Sequence, residues 1–168
     1  MPDRHGYCSM GMNVDIQLAA LQSAKTVLAE LNPLVPRTFG AGTIHISEIT
    51  HYIESNTPLL ELPEPEIDEV SERIGAFVSR LIDHKSCLQM GIGAIPSAVL
   101  RYLGDKRDLG VHTEMFTDGL LPLIENGNIT NKYKAEHPGK IVTSFVMGTK
   151  KLYEFINDNP GVAFYASD

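Results

Sequence analysis

The stretch LQMGIGAIPSAVL, residues 88–100, reads as a short strand, a glycine turn and a helix, and GVHTEMFTDG, residues 110–119, reads as the strand that follows it. Pro96 suits the first turn of a helix, where its missing N–H costs nothing. The turn Gly91-Ile92-Gly93 can aim backbone N–H groups at an anion, helped by the positive end of the helix. It fails as a dinucleotide fingerprint because Pro96 stands at the third glycine position. The plainer reading of the same turn is a tight strand-to-helix connection with no ligand. On the next strand the two-residue period puts His112 and Glu114 on one face and Thr113 on the other. Ligands of parallel α/β sheets sit at the carboxyl ends of strands, where Glu114 is expected. Glu114 is thus either a reacting carboxylate opposite the glycine turn or an ordinary solvated acid. Asp118, beside Gly119, reads as a turn or cap residue.

Working outward, helical and strand patterns alternate. Residues 14–24 have helical spacing, 26–32 form a short apolar strand and 43–49 alternate as an extended segment. The run 59–65, rich in proline and glutamate, reads as a linker. A long helix is expected over 66–84, with an acidic first turn. Strands and helices then succeed one another to 167, including a near-continuous apolar strand at 141–147, a helix from Gly148 and a last strand at 162–167. The expectation is an α/β fold with a mostly parallel sheet and helices on both faces. The last strand would be an open edge, inviting pairing with another subunit, so a homo-oligomer is expected. Lys150 and Lys151 lie at a helix start, where cations oppose the dipole, which hints at an anion nearby.

Composition narrows the functions. The 168 residues carry a net charge of −7, with Lys and Arg together at 14 and forming no long run. A nucleic acid or an anionic membrane as main partner would need a basic face, and neither is expected. No apolar stretch reaches the length of a membrane span, and residues 1–10 lack the pattern of a secretory signal. Cys8 and Cys87 stand far apart, which points to reduced thiols and a cytoplasmic setting. His84 and Cys87 have the spacing of half a metal site, but no second pair follows, so no metal is expected.

The runs LQMGIGAIPSAVL, LGVHTEMFTDG, GNITN and GKIVTSFVMGTKKLYEFINDNP closely resemble the acetyl-CoA hydrolase/transferase family, in particular its 4-hydroxybutyrate and butyryl-CoA:acetate CoA-transferase branch. Residues 2–40 resemble the later portion of that family's N-terminal domain. The resemblance implies a CoA-transferase-like fold with parts of two similar domains. Residues 1–58 would close the N-terminal domain, 59–65 would link, and 66–168 would begin the C-terminal domain.

It also implies the chemistry. Glu114, in HTEMF, matches the catalytic glutamate, and Gly91 and Gly93 are candidates for oxyanion, acyl or CoA contacts. His112, Met115, Met147 and Gly148 are candidate pocket residues, although apolar residues beside a strand are more often core. In such enzymes the glutamate attacks an acyl-CoA and becomes a glutamyl-CoA thioester, which a second carboxylic acid resolves. Acyl-CoA and short-chain carboxylates would be the partners, with the CoA thioester as substrate and no permanently bound cofactor. Two alternatives stay open: hydrolysis of the thioester by water, and a catalytically incomplete CoA- or anion-binding module.

Overall fold

Parallel strands must be joined by a crossover, and the second part of the chain supplies one after nearly every strand. The computed structural model describes residues 1–167. In chain order its elements are β1 (Tyr7–Ser9), α1 (Gln17–Ser23), β2 (Leu28–Leu31), β3 (Phe39–Gly40), β4 (Thr43–His45) and β5 (His51–Glu54). After the linker come α2 (Glu69–Ser79), β6 (Cys87–Leu88), α3 (Ala94–Arg101), β7 (Gly110–Phe116), α4 (Leu121–Glu125), β8 (Ile141–Val146), α5 (Lys150–Ile156) and β9 (Val162–Phe164). The principal sheet has the order β3-β9-β8-β7-β6 and every pair in it is parallel. Two small sheets, β1-β4 and β2-β5, belong to the first part.

From β6 to β9 each crossover moves one strand in the same direction. Right-handed connections then put α3, α4 and α5 on one face of the sheet. Leu100, Leu121, Leu123, Leu152 and Ile156 of these helices join Val111, Ile141, Val162 and Phe164 of the strands in one buried cluster. Residues of β7 that point the other way, His112 and Glu114, remain exposed.

Capping trims the expected helices. Asp68 has an extended backbone and its carboxylate accepts from Ser71 N at 2.7 Å, so the long helix starts at Glu69, not 66, and ends at Ser79. The segment 43–49 is extended only to His45. There the imidazole accepts from Ser47 N, and Glu48 accepts from His45 N at 3.0 Å, a capping box that turns Ile46–Glu48 into a 3-10 helix.

The open edge expected at 162–167 is not there. Phe39 and Gly40 pair with Ala163 and Phe164, and Ala41 N donates to Phe164 O at 2.8 Å. Past the end of β9, Asn13 bridges Phe145, Val14 N donates to Ser144 O at 2.9 Å and Val146 N to Met12 O at 2.8 Å. Val14 is wholly buried in the main core. The first part thus fills the place that was expected to be vacant, and the edge at β9 offers no pairing surface. Among the described residues no helix is long and apolar enough to cross a membrane.

Gly40 has φ +114, and a Cβ there would run into the backbone of Phe164. Gly40→Ala is therefore expected to lower the stability measured by denaturant unfolding by about 2 kcal/mol, through strain and loss of the β3-β9 contact. An unchanged midpoint would show that this strand contributes nothing.

Candidate active site

Strand β7 continues two residues beyond Glu114, so the acid lies within the sheet and not at its lip. Its backbone is pinned from both neighbours. Thr143 Oγ1 of β8 lies 3.0 Å from Glu114 O and 2.9 Å from Phe145 O, while Thr113 Oγ1 accepts from Met90 N at 3.0 Å. Both threonines are buried. The Glu114 carboxylate itself is exposed, and among the described residues it has no hydrogen-bond donor and no ion-pair partner. It lines an open cleft of about 340 Å³ together with Gln89, His112, Ser144, Tyr165 and Ser167.

Gly91, Gly93, Met115, Met147 and Gly148 gather elsewhere, in a small adjoining cavity of about 40 Å³ that the linker residues Leu62–Pro65 also line. The reason is strand alternation: Met115 follows Glu114 and so points through the other face. The expected site residues therefore fall into two groups that meet along β7, His112 with Glu114 and the glycines with the methionines. Gly93 precedes α3 with φ +114, a conformation that only glycine adopts freely. Gln89, Ser144, Tyr165 and Ser167 were not singled out from the sequence. Gln89 had a signal, being a polar residue between Leu88 and Met90.

Beside Glu114 a row of rings crosses the cleft. The His137 ring stacks on Tyr165 with centroids 4.7 Å apart and meets His112 edge-on at 6.4 Å. The loop carrying His137 is keyed to β7. Val111 N donates to Asn131 Oδ1 at 2.8 Å, and Lys134 Nζ donates to Val111 O and Lys140 O, each at 2.7 Å. Burial lowers the pKa of Lys134. Burial, and then the Lys134 charge and His137, hold His112 below its ordinary value, against an opposing pull from Glu136.

The linker is docked along β8 and α5: Leu62 N donates to Gly148 O at 2.9 Å and Tyr153 OH to Leu60 O at 2.7 Å. Asp118 is a cap, but for a distant helix, since it accepts from Thr149 N at 2.8 Å and from Thr149 Oγ1 at 2.5 Å. Lys150 N donates to Glu61 Oε2 at 2.9 Å, while the Lys150 and Lys151 ammonium groups pair with Glu154 and Glu125. Acids of this chain thus satisfy the helix start that had hinted at an external anion. His84 Nδ1 accepts from Arg107 N at 3.1 Å, and Cys87 is a free exposed thiol. Among the described residues no three His, Cys, Asp or Glu side chains cluster as a metal site.

The all-parallel sheet, with an uncommitted glutamate on one face of β7 and a glycine turn lining the adjoining cavity, can be compared with known proteins. No protein-family model matches the chain. It is 50% identical over 167 residues to a 4-hydroxybutyrate coenzyme A transferase of Clostridium kluyveri, covering 99% of the chain and 39% of that protein. It is 43% identical to a succinyl-CoA:cyclohexane-1-carboxylate CoA transferase of Geobacter metallireducens, covering 99% and 38%. In structure it matches a 4-hydroxybutyrate CoA-transferase from Porphyromonas gingivalis with a TM-score of 0.95 at 44% identity, covering 99% of the chain and 42% of that one. In sequence and in fold the chain is similar to part of these CoA-transferases. It spans about two fifths of the length of the curated relatives it matches.

A His112 pKa below the ordinary 6.5 means that the unfolded chain takes up the proton first as pH falls. Its stabilising contribution is present above pH 6.5 and is lost as pH drops through the lower folded value. Ring-proton NMR should give His112 a midpoint below 6.5, and a midpoint at or above it would contradict the packing described.

Proposed function

We propose that the protein carrying this sequence transfers coenzyme A between a short-chain acyl-CoA (acetyl-, butyryl- or 4-hydroxybutyryl-CoA) and a carboxylic acid, with Glu114 as the nucleophile. The observation that carries this reading is the Glu114 carboxylate, exposed in a cleft, uncommitted to any described partner, and mounted on a strand braced by Thr113 and Thr143. A carboxylate is a weak nucleophile, so position and charge stabilisation must do much of the catalysis.

Glu114 attacks the thioester carbonyl, and the tetrahedral oxyanion collapses to a mixed anhydride with release of the CoA thiolate. The thiolate attacks the glutamyl carbonyl, expelling the original acid as its carboxylate and leaving a glutamyl-CoA thioester. The acceptor carboxylate attacks that thioester and the two steps run in reverse, regenerating Glu114. Gln89, on the same cleft, offers a side-chain amide donor to that oxyanion, while the Gly91–Gly93 turn, in the adjoining cavity, would contact the acyl group or CoA. One well-aimed donor to such an oxyanion is worth about 3 kcal/mol. Met115 and Met147 would flank the glycine turn from the other side of β7. We further propose that residues 1–58 and 66–168 belong to two domains of the longer fold, joined by 59–65.

The test uses the protein at its full natural length, incubated with butyryl-CoA and no acceptor. A CoA adduct should appear on the peptide containing Glu114, disappear with hydroxylamine, and be absent from Glu114→Gln, whose turnover should fall by a factor of roughly 10³ or more. An adduct on Cys87 would overturn the assignment. Acyl-CoA consumption that ignores added acetate would make the enzyme a hydrolase.

A further inference from the structure

We propose that Ser144 donates the hydrogen bond that stabilises the second oxyanion of the transfer reaction, the one that forms on Glu114 itself, and that Ser167 positions it. The proposal rests on the reading of Glu114 as nucleophile. Two tetrahedral intermediates occur in each half of that reaction. In the first the negative charge lies on the oxygen of the substrate carbonyl, where Gln89 is proposed to donate. In the second the CoA thiolate forms a bond to the Glu114 carboxyl carbon, and the carbonyl π pair moves onto Glu114 Oε. Collapse restores that carbonyl and breaks the bond to the acyl carboxylate, which leaves with its electron pair. No proton is transferred, so the step needs only a fixed donor aimed at Glu114 Oε.

Ser144 is placed to be that donor. Thr113 pairs with Thr143 and Met115 with Phe145, so Ser144 of β8 stands level with Glu114 of β7. Parallel neighbours lie about 4.8 Å apart, and both side chains line the same open cleft. A hydroxyl one carbon from its strand is thus within one side-chain rotation of the Glu114 carboxyl. Ser144 is nevertheless buried, and a buried hydroxyl is costly unless its bonds are made. Its oxygen accepts from Ser167 Oγ at 2.8 Å, while among the described residues its own proton has no acceptor. Ser167 therefore occupies the lone-pair side of the hydroxyl and leaves the O–H to turn towards Glu114. The backbone is fixed as well, since Ser144 O accepts from Val14 N at 2.9 Å and from Asp15 N at 3.4 Å. The bond to Glu114 is not made in the resting arrangement. It stabilises the intermediate and not the ground state, which is what raises a rate.

The experiment isolates the step at Glu114. The full-length protein is loaded with CoA from butyryl-CoA and freed of substrate. The glutamyl-CoA thioester is then cleaved with hydroxylamine, which releases CoA, leaves a hydroxamate on Glu114 and puts charge on Glu114 Oε alone. The first-order rate should fall about a hundredfold in Ser144→Ala, the effect of losing one oxyanion donor. In denaturant, wild type and variant should cleave at the same rate. Ser167→Ala keeps the donor and loosens its hold, so it should slow cleavage about fivefold, the effect of one neutral hydrogen bond. KM for butyryl-CoA should stay close to wild type in both variants while kcat falls. The rate is read only on protein that carries CoA, so a misfolded fraction does not disturb it. Cleavage of folded Ser144→Ala at the wild-type rate overturns the donor, and wild-type cleavage by Ser167→Ala overturns its positioning role. Failure of wild type to acquire CoA at all sinks the transferase reading, and the proposal with it.

Discussion

The handedness of the crossovers dictates the layout of this molecule. Three connections in succession step the same way across the sheet, so the helices between β6 and β9 share one face. That face becomes the core, with Val111, Ile141 and Phe164 against Leu121, Leu152 and Ile156. The alternate residues of the same strands then look out on the other side, where no crossover helix covers them. A single strand, β7, can therefore be a core element at Val111 and Thr113 and an open surface at His112 and Glu114. Core and open face are separated by one residue of register.

A strand with two such different faces must not slip, because a shift of one residue would bury the acid and expose the core. The bracing of β7 is correspondingly dense. Val111 is held through its N–H by Asn131 and through its carbonyl by the buried Lys134, and the backbone of Glu114 is held by Thr143. These bonds also fix the loop bearing His137, so the ring row and the acid are referred to the same stretch of backbone. The threonines suit this task because a buried hydroxyl finds partners only in fixed directions: Thr113 reaches Met90, just beyond β6, and Thr143 reaches Glu114 on β7.

Much of this was readable in the residues. The strand–turn–helix around Gly91 and Gly93, the β7 alternation and the apolar β8 all follow from local patterns. The division of the candidate site was not read, although strand alternation keeps Met115 off the face of Glu114: the glycine turn was expected opposite Glu114 and lines the adjoining cavity instead. Long-range partners were not readable. Nothing in Phe39-Gly40 marks it as a sheet strand, because two residues carry no periodicity, and its place beside β9 depends on a glycine at φ +114 meeting the Phe164 backbone. Tyr165 and His137 escaped notice for a similar reason: their contact joins a loop to the end of a strand, and only the fold brings them together. Asp118 was recognised as a cap, but its helix begins at Lys150, 32 residues on.

The docking of the first part into the principal sheet bears on how such a protein can change over generations. Met12–Val14 and Phe39–Gly40 lie on one side of the linker, and the strands they pair with lie on the other. A recombination event between two homologous genes within 59–65 would therefore join a sheet to edge strands selected against a different neighbour. The proline-rich segment looks like a natural seam, yet the two sides of it are obliged to evolve in step.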